Sequence, residues 1–265
     1  MATPDNGVAA ILYSASRVTA KVGNGETVTL KEDTHYPFDE NISITVATQK
    51  STRFPLYVRI PAWCSNAVIK VNGVAVNNVQ QAASYARIEN TWKNGDKVEI
   101  TLPMKVQLQT WQQNKNSVSV NYGPLTFSLL IKERLKKQDS RSAAVADAKW
   151  QPNADASKWP SYEIFPASNW NYGLDEKDVN NSNLQAAFVV THKAWPKNDF
   201  PFTIDDVPLS IQTTGKQIPA WGIDKYGLCD VLPQSPVATT TSDEQITLVP
   251  MGAARLRISA FPVVR

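Results

Sequence analysis

Asn169-Trp170-Asn171-Tyr172-Gly173 sets two large aromatic side chains between two amides and beside a glycine. Aromatic rings stack on the apolar face of a pyranose or furanose, and amides bond its hydroxyls, so the run has the composition of a sugar-recognition surface. Trp195 and Trp221 stand in two other proline-bounded loops. Trp170, Asn171, Tyr172, Trp195 and Trp221 together make the candidate carbohydrate-binding set. The competing use of each tryptophan is to fill or cap a β-core, and for any single one that is the commoner use. Trp63, Trp92 and Trp111 lie at or near strand ends and read as core plugs.

Residues for catalysis are scarcer. Glu163, Asp175 and Glu176 flank the aromatic region. A carboxylate pair for glycoside hydrolysis is defined by a separation that the fold sets, and here these acids read as solvated loop residues. A Ser-His-Asp arrangement would need His35 or His192 as its base. Both lie beside strands and read as surface or packing histidines. There is no Gly-rich phosphate loop, no Gly-x-Ser-x-Gly and no His-Glu-x-x-His. Cys64 and Cys229 form no Cys-x-x-Cys and neither neighbours a histidine, so zinc is a weak reading. Two free, buried thiols are expected. No catalytic residue, metal ligand or cofactor site is assigned to this chain.

The elements that must carry these residues are strands. Ile42, Ile44 and Val46 alternate with polar residues, as do Leu56, Val58 and Ile60, then Val98, Ile100 and Leu102, then Val118, Val120 and Tyr122. Period two means one face buried and one wet. Asn24-Gly25, Asn72-Gly73 and Asn94-Gly95 supply residues that tolerate the positive φ of tight hairpins. Leu125 to Ile131 is continuously apolar and reads as a central strand. A charged and then Ala-, Asp- and Ser-rich connector follows, with a helical turn expected near residues 143–148. β-like segments return at 163–165, 186–191, 209–213, 246–249 and 255–260, and the prolines between them keep strands short or at edges.

With 265 residues and 42% hydrophobic side chains, the chain can build two cores. The expected fold is all-β, two β-sandwich domains with the second inserted into the first: residues 1–131, a connector over 132–149, a second sandwich over 150–244, and 245–265 returning to the first. The net charge of +3 is dispersed. The most basic run, Lys132 to Lys137, contains Glu133 and reads as a solvated connector, so nucleic acid is not an expected partner. No apolar run approaches the roughly 20 residues of a membrane span, and no signal peptide is expected at the start.

With those residues in view, the chain resembles the C-terminal, non-catalytic region of the β-L-arabinofuranosidase family, glycoside hydrolase family 127, and its relatives. Leu12-Tyr13-Ser14-Ala15-Ser16, Glu32-Asp33-Thr34-His35-Tyr36-Pro37 and Leu56-Tyr57-Val58-Arg59-Ile60-Pro61-Ala62-Trp63 resemble successive family landmarks. Val71-Asn72-Gly73, Trp92-Lys93-Asn94-Gly95-Asp96, Leu102-Pro103-Met104 and Tyr122-Gly123-Pro124-Leu125 follow in the family's order. Glu163-Ile164-Phe165-Pro166 and the run from Pro250 to Ile258 are similar to tail motifs of some relatives. The resemblance implies a parent protein whose helical toroid carries a cysteine nucleophile and, with a glutamate and further cysteines, a zinc ion. This chain has no Cys-Cys, no Glu-x-Cys and no helical repeat. It therefore implies an accessory region without chemistry of its own, whose partners are the missing catalytic helical domain and a plant-type glycan, in a secreted or periplasmic parent. A carbohydrate-binding module and an interaction or oligomerisation domain are the alternatives.

Overall fold

The structure, a computed structural model, describes residues 1–77, 81–143, 151, 153–225 and 227–265. The protein is all-β, with only short helical turns between strands. Its chain forms two compact units. One holds Met1–Gln107 with Asn121–Leu125, and the other holds Leu108–Val120 with Thr126–Arg265.

In the first unit the strands are β1 (Val8–Ala10), β2 (Ser16–Val22), β3 (Glu26–Thr34), β4 (Asn41–Thr48), β5 (Thr52–Ile60), β6 (Val68–Val71), β7 (Val74–Ala75), β8 (Ser84–Trp92) and β9 (Lys97–Thr101). They make a three-stranded sheet, β1-β5-β8, and a six-stranded sheet, β2-β3-β4-β9-β6-β7. Phe54, Leu56, Val58, Ile60 and Trp92 from the small sheet share one core with Val28, Ile42, Ile44, Val46, Val98 and Ile100 from the large one, which makes this unit a sandwich. The alternation seen in the sequence is this buried face. Trp92 is fully buried and its indole N–H donates to the Phe54 carbonyl at 2.9 Å. Asn72 (φ 51°) and Gly73 (φ 81°) turn the chain from β6 to β7 in the left-handed region, as the Asn-Gly signal requires.

The second unit is built on an eight-stranded sheet. Its strands are β10 (Val106–Trp111), β11 (Ser117–Tyr122), β12 (Leu125–Leu129), then, after an intervening ribbon of β13 (Glu133–Gln138) and β14 (Ser161–Pro166), β15 (Tyr172–Asp175), β16 (Val189–His192), β17 (Leu209–Gln217), β18 (Glu244–Pro250) and β19 (Val263–Val264). The order is β10-β11-β12-β18-β17-β15-β19, and β16 lies along the same edge of β17 as β15. The apolar run at 125–131 is an interior strand, between β11 and β18. The late strand at 244–250 closes onto it, with Phe127 opposite Pro250 and Leu129 opposite Leu248.

Three expectations differ from what is observed. Residues 255–260 do not form a strand: after a 3₁₀ turn at Met251–Ala253 this stretch gives single hydrogen bonds, such as Leu129 N–H to the Ile258 carbonyl at 2.8 Å, and no ladder. The start of the 186–191 segment is a helical turn, Leu184–Ala187, and the strand begins at Val189. Trp111 is half exposed, its N–H on the Ser119 hydroxyl at 2.8 Å, at the end of β10, which is a sheet edge. The helical turn expected near 143–148 lies almost wholly outside the described residues. Among the described residues no helix is long and apolar enough to cross a membrane.

Candidate functional site

Four of the five candidate residues meet around β15. Trp170 and Tyr172 stand at its start, and Trp221 lies in the loop after β17. The Trp170 and Trp221 rings pack edge to face, with centroids 5.2 Å apart and planes at 71°. Two rings at that angle cannot both lie flat on one sugar face. Trp221 is buried, and its indole N–H donates to the Asp230 carbonyl at 3.0 Å. Asn171 is committed to backbone: its amide nitrogen donates to the carbonyls of Ile218 (3.0 Å) and Trp221 (3.2 Å), which ties the loop to β15. Trp170 is half-buried and borders an apolar hollow of about 190 Å³ with Ile131, Pro166, Leu228, Leu256 and Ile258.

Tyr172 opens on a different space. It lines a shallower hollow of about 420 Å³ with Ser168, Asn169, Gln245 and Thr247. Its hydroxyl donates to Glu244 Oε2 at 2.8 Å and accepts from Gln217 Nε2 at 3.2 Å. Burial, and then the Glu244 carboxylate, push the phenol above its ordinary range. Register explains the reach. Tyr172 lies opposite Gln217, and two residues on Leu174, Gly215 and Glu244 are aligned across β15, β17 and β18, so Glu244 is diagonal to Tyr172 across β17. Trp195 does not join this cluster. It is half-buried in its own loop and donates to Asp199 Oδ1 at 2.6 Å.

The flanking acids separate. Glu163 is exposed on the ribbon and accepts from Gln138. Asp175 is not a solvated acid: it is buried, caps the turn Glu176–Val179 by accepting from Lys177 N–H at 2.9 Å, and pairs with Lys177 (3.3 Å) and Lys216 (3.6 Å). A buried carboxylate so matched is held in place by its two cations. His35 and His192 are exposed. Cys64 is buried, and burial pushes its thiol up, whereas Cys229 is exposed, against the expectation of two buried thiols. Cys229 sits in an irregular loop whose neighbours Leu228 and Val231 are also exposed, so its exposure follows from the loop and not from its own polarity. Among the described residues no group of three or more His, Cys, Asp or Glu side chains converges to hold a metal ion.

One polar residue in an apolar place escaped the sequence reading. Glu32 points into the first unit's core with 9% of its surface exposed, and burial raises its carboxyl from 4.5 to about 7. The signal was present in β3, where Val28, Leu30 and Glu32 occupy alternate, inward positions.

Comparison with known proteins finds a family-model match over part of the chain. Residues 7–104 match the family model described as the GH127 middle domain of β-L-arabinofuranosidase. That span is the first sandwich, and the resemblance carried by the landmarks there stands. Three solved structures share the fold over 98% of this chain. One is described as a glycoside hydrolase (21% identity, TM-score 0.60). Another is a GH127 β-L-arabinofuranosidase from Geobacillus stearothermophilus T6 (18%, 0.61), and a third is a GH127 β-arabinofuranosidase (17%, 0.60). The chain spans 36%, 34% and 35% of those proteins' lengths. No curated protein matches it.

Proposed function

We propose that this chain is the accessory β-region of a glycoside hydrolase of the β-L-arabinofuranosidase type, framework for a helical catalytic domain and not itself a catalyst. The observation that carries the reading is the match of residues 7–104 to the GH127 middle domain. Two features support it. The candidate acids do not pair with each other, since Asp175 is neutralised by lysines and Glu163 lies out on the ribbon. The aromatic cluster is largely spent on holding β15 to its loop. In this reading the parent acts on arabinose-containing, plant-type glycans outside the cell or in the periplasm, and its zinc belongs to the helical domain.

The test is an assay of the purified chain on aryl β-L-arabinofuranosides. No turnover above a protein-free control is expected. Turnover that follows the protein through successive purification steps overturns the proposal. A helical catalytic domain from a related hydrolase, added in trans, should form a complex with the chain in size-exclusion chromatography.

A carbohydrate-binding module is the second reading, favoured by Trp170 at the mouth of its apolar hollow. Titration with soluble arabinan and arabinogalactan separates the two. Binding abolished by Trp170→Ala supports the module. No binding at millimolar ligand, about −4 kcal/mol or weaker, removes it.

A further inference from the structure

Glu32 lies where a sandwich core should be closed. Its cross-strand neighbours are Ser16 on β2 and Ile44 on β4, and all three border a hollow of about 320 Å³ that opens at the surface of the first unit, where Leu12 and Val18 are exposed. The rest of the lining is nearly all apolar, including Ala9, Ile11, Leu12, Val18 and Leu30. One carboxylate oxygen, Oε1, accepts from Ser14 N–H at 2.7 Å. Among the described residues no other hydrogen bond and no ion pair reaches this side chain, so Oε2 borders the cavity unmatched.

The charged and titratable groups around it are already engaged. The Tyr13 hydroxyl donates to the Arg59 carbonyl at 2.6 Å, and the Arg59 guanidinium lies 3.5 Å from the Ile11 carbonyl. Tyr36 packs edge to face on Tyr13. Lys31 and Asp33, the neighbours along β3, pair with each other at 2.8 Å on the outer face. The Met1 ammonium borders the cavity but donates to the Ala9 carbonyl at 2.8 Å.

We propose that this cavity is a binding site for a small apolar ammonium ligand, a hydrocarbon body carrying one cationic head that pairs with Glu32. A carboxylate set among apolar side chains with no cation beside it is poorly solvated, and an ammonium supplies a charge partner and a second hydrogen bond. The hydrocarbon body is what the lining selects, since hydroxyls turned toward these side chains would lose their water without a partner. Cavities of about 150 Å³ accept benzene, so this one has room for a body of roughly six to eight carbons. The site does not rest on the hydrolase reading.

The test uses cyclohexylammonium, with cyclohexanol as the neutral isostere and cyclohexanecarboxylate as the anion, titrated into the intact chain at pH 8. The Ser14 amide signal in NMR reports the site. Saturable binding is expected, with the ammonium at least about tenfold tighter than the alcohol and the anion unbound. Glu32→Gln should cost the ammonium at least tenfold and leave the alcohol unchanged. A second arm needs no variant. Because Glu32 holds its proton at pH 5, ammonium affinity of the native chain should fall at least tenfold there while the alcohol's stays constant. No saturation by about 10 mM, equal affinity for ammonium and alcohol, or an affinity indifferent to both Glu32→Gln and pH would each overturn the proposal.

Discussion

Glu32 ties one side chain to the stability of a whole unit. Its carboxyl sits at about 7 in the folded chain against 4.5 ordinarily. A carboxyl raised by folding binds its proton more tightly in the native state, so the stabilisation is complete below about pH 4.5 and is lost as pH rises through 7. At about 1.4 kcal/mol per unit, the first unit should lose at most about 3 kcal/mol between pH 4.5 and pH 8. Urea melts across that range should show the loss, and Glu32→Gln should flatten it; a native profile that rises with pH would refute the assignment. Trp92 is the opposite case, a residue whose role the sequence made plain. It is fully buried and hydrogen-bonded, so Trp92→Ala should destabilise by about 3–5 kcal/mol in the same melts.

Elements fail at points where backbone and side chain compete for the same space. A Cβ on Gly215 would sit 2.8 Å from Ile246 Cδ1 and 3.0 Å from the Gly173 carbonyl oxygen, between β15 and β18. Gly215→Ala should therefore cost about 1–3 kcal/mol, read from the denaturant midpoint of the second unit. Gly73 has open space around it and only its φ of 81° to defend. Gly73→Ala should cost about 1 kcal/mol, the ordinary penalty for a left-handed alanine. The hairpin at Asn72-Gly73 was legible in advance because that penalty is local. The absence of a strand over 255–260 was not. Leu256 and Ile258 alternate with polar residues as a strand would, yet Arg255 binds Glu133 through its side chain (2.7 Å) and Arg257 folds back on the Ala254 carbonyl. A ladder needs a partner backbone in register, and alternation alone does not supply one.

At the scale of the molecule, each of two compact units has buried apolar side chains of its own. Trp92→Ala should then lower hydrogen-exchange protection in β3, β4, β5 and β9 while β17 and β18 keep theirs. Equal loss in both sets would mean one cooperative unit.

What the residues determined by themselves was local and periodic. Two-residue alternation marked the buried faces of β4, β5 and β9, though not of β11, which is buried on both faces; Asn-Gly marked the turns, and the ordered landmarks from Leu12 to Met104 pointed to the family that residues 7–104 match. Tertiary structure decided everything that depends on distant neighbours. It buried Asp175 between lysines of two elements, turned Trp170 edge-on to Trp221, sent Trp195 elsewhere and set Glu32 at the floor of a mostly apolar hollow. The reason is physical: a strand's period is set by its own backbone, whereas the burial, charge and pairing of a side chain are set by whatever the fold brings against it.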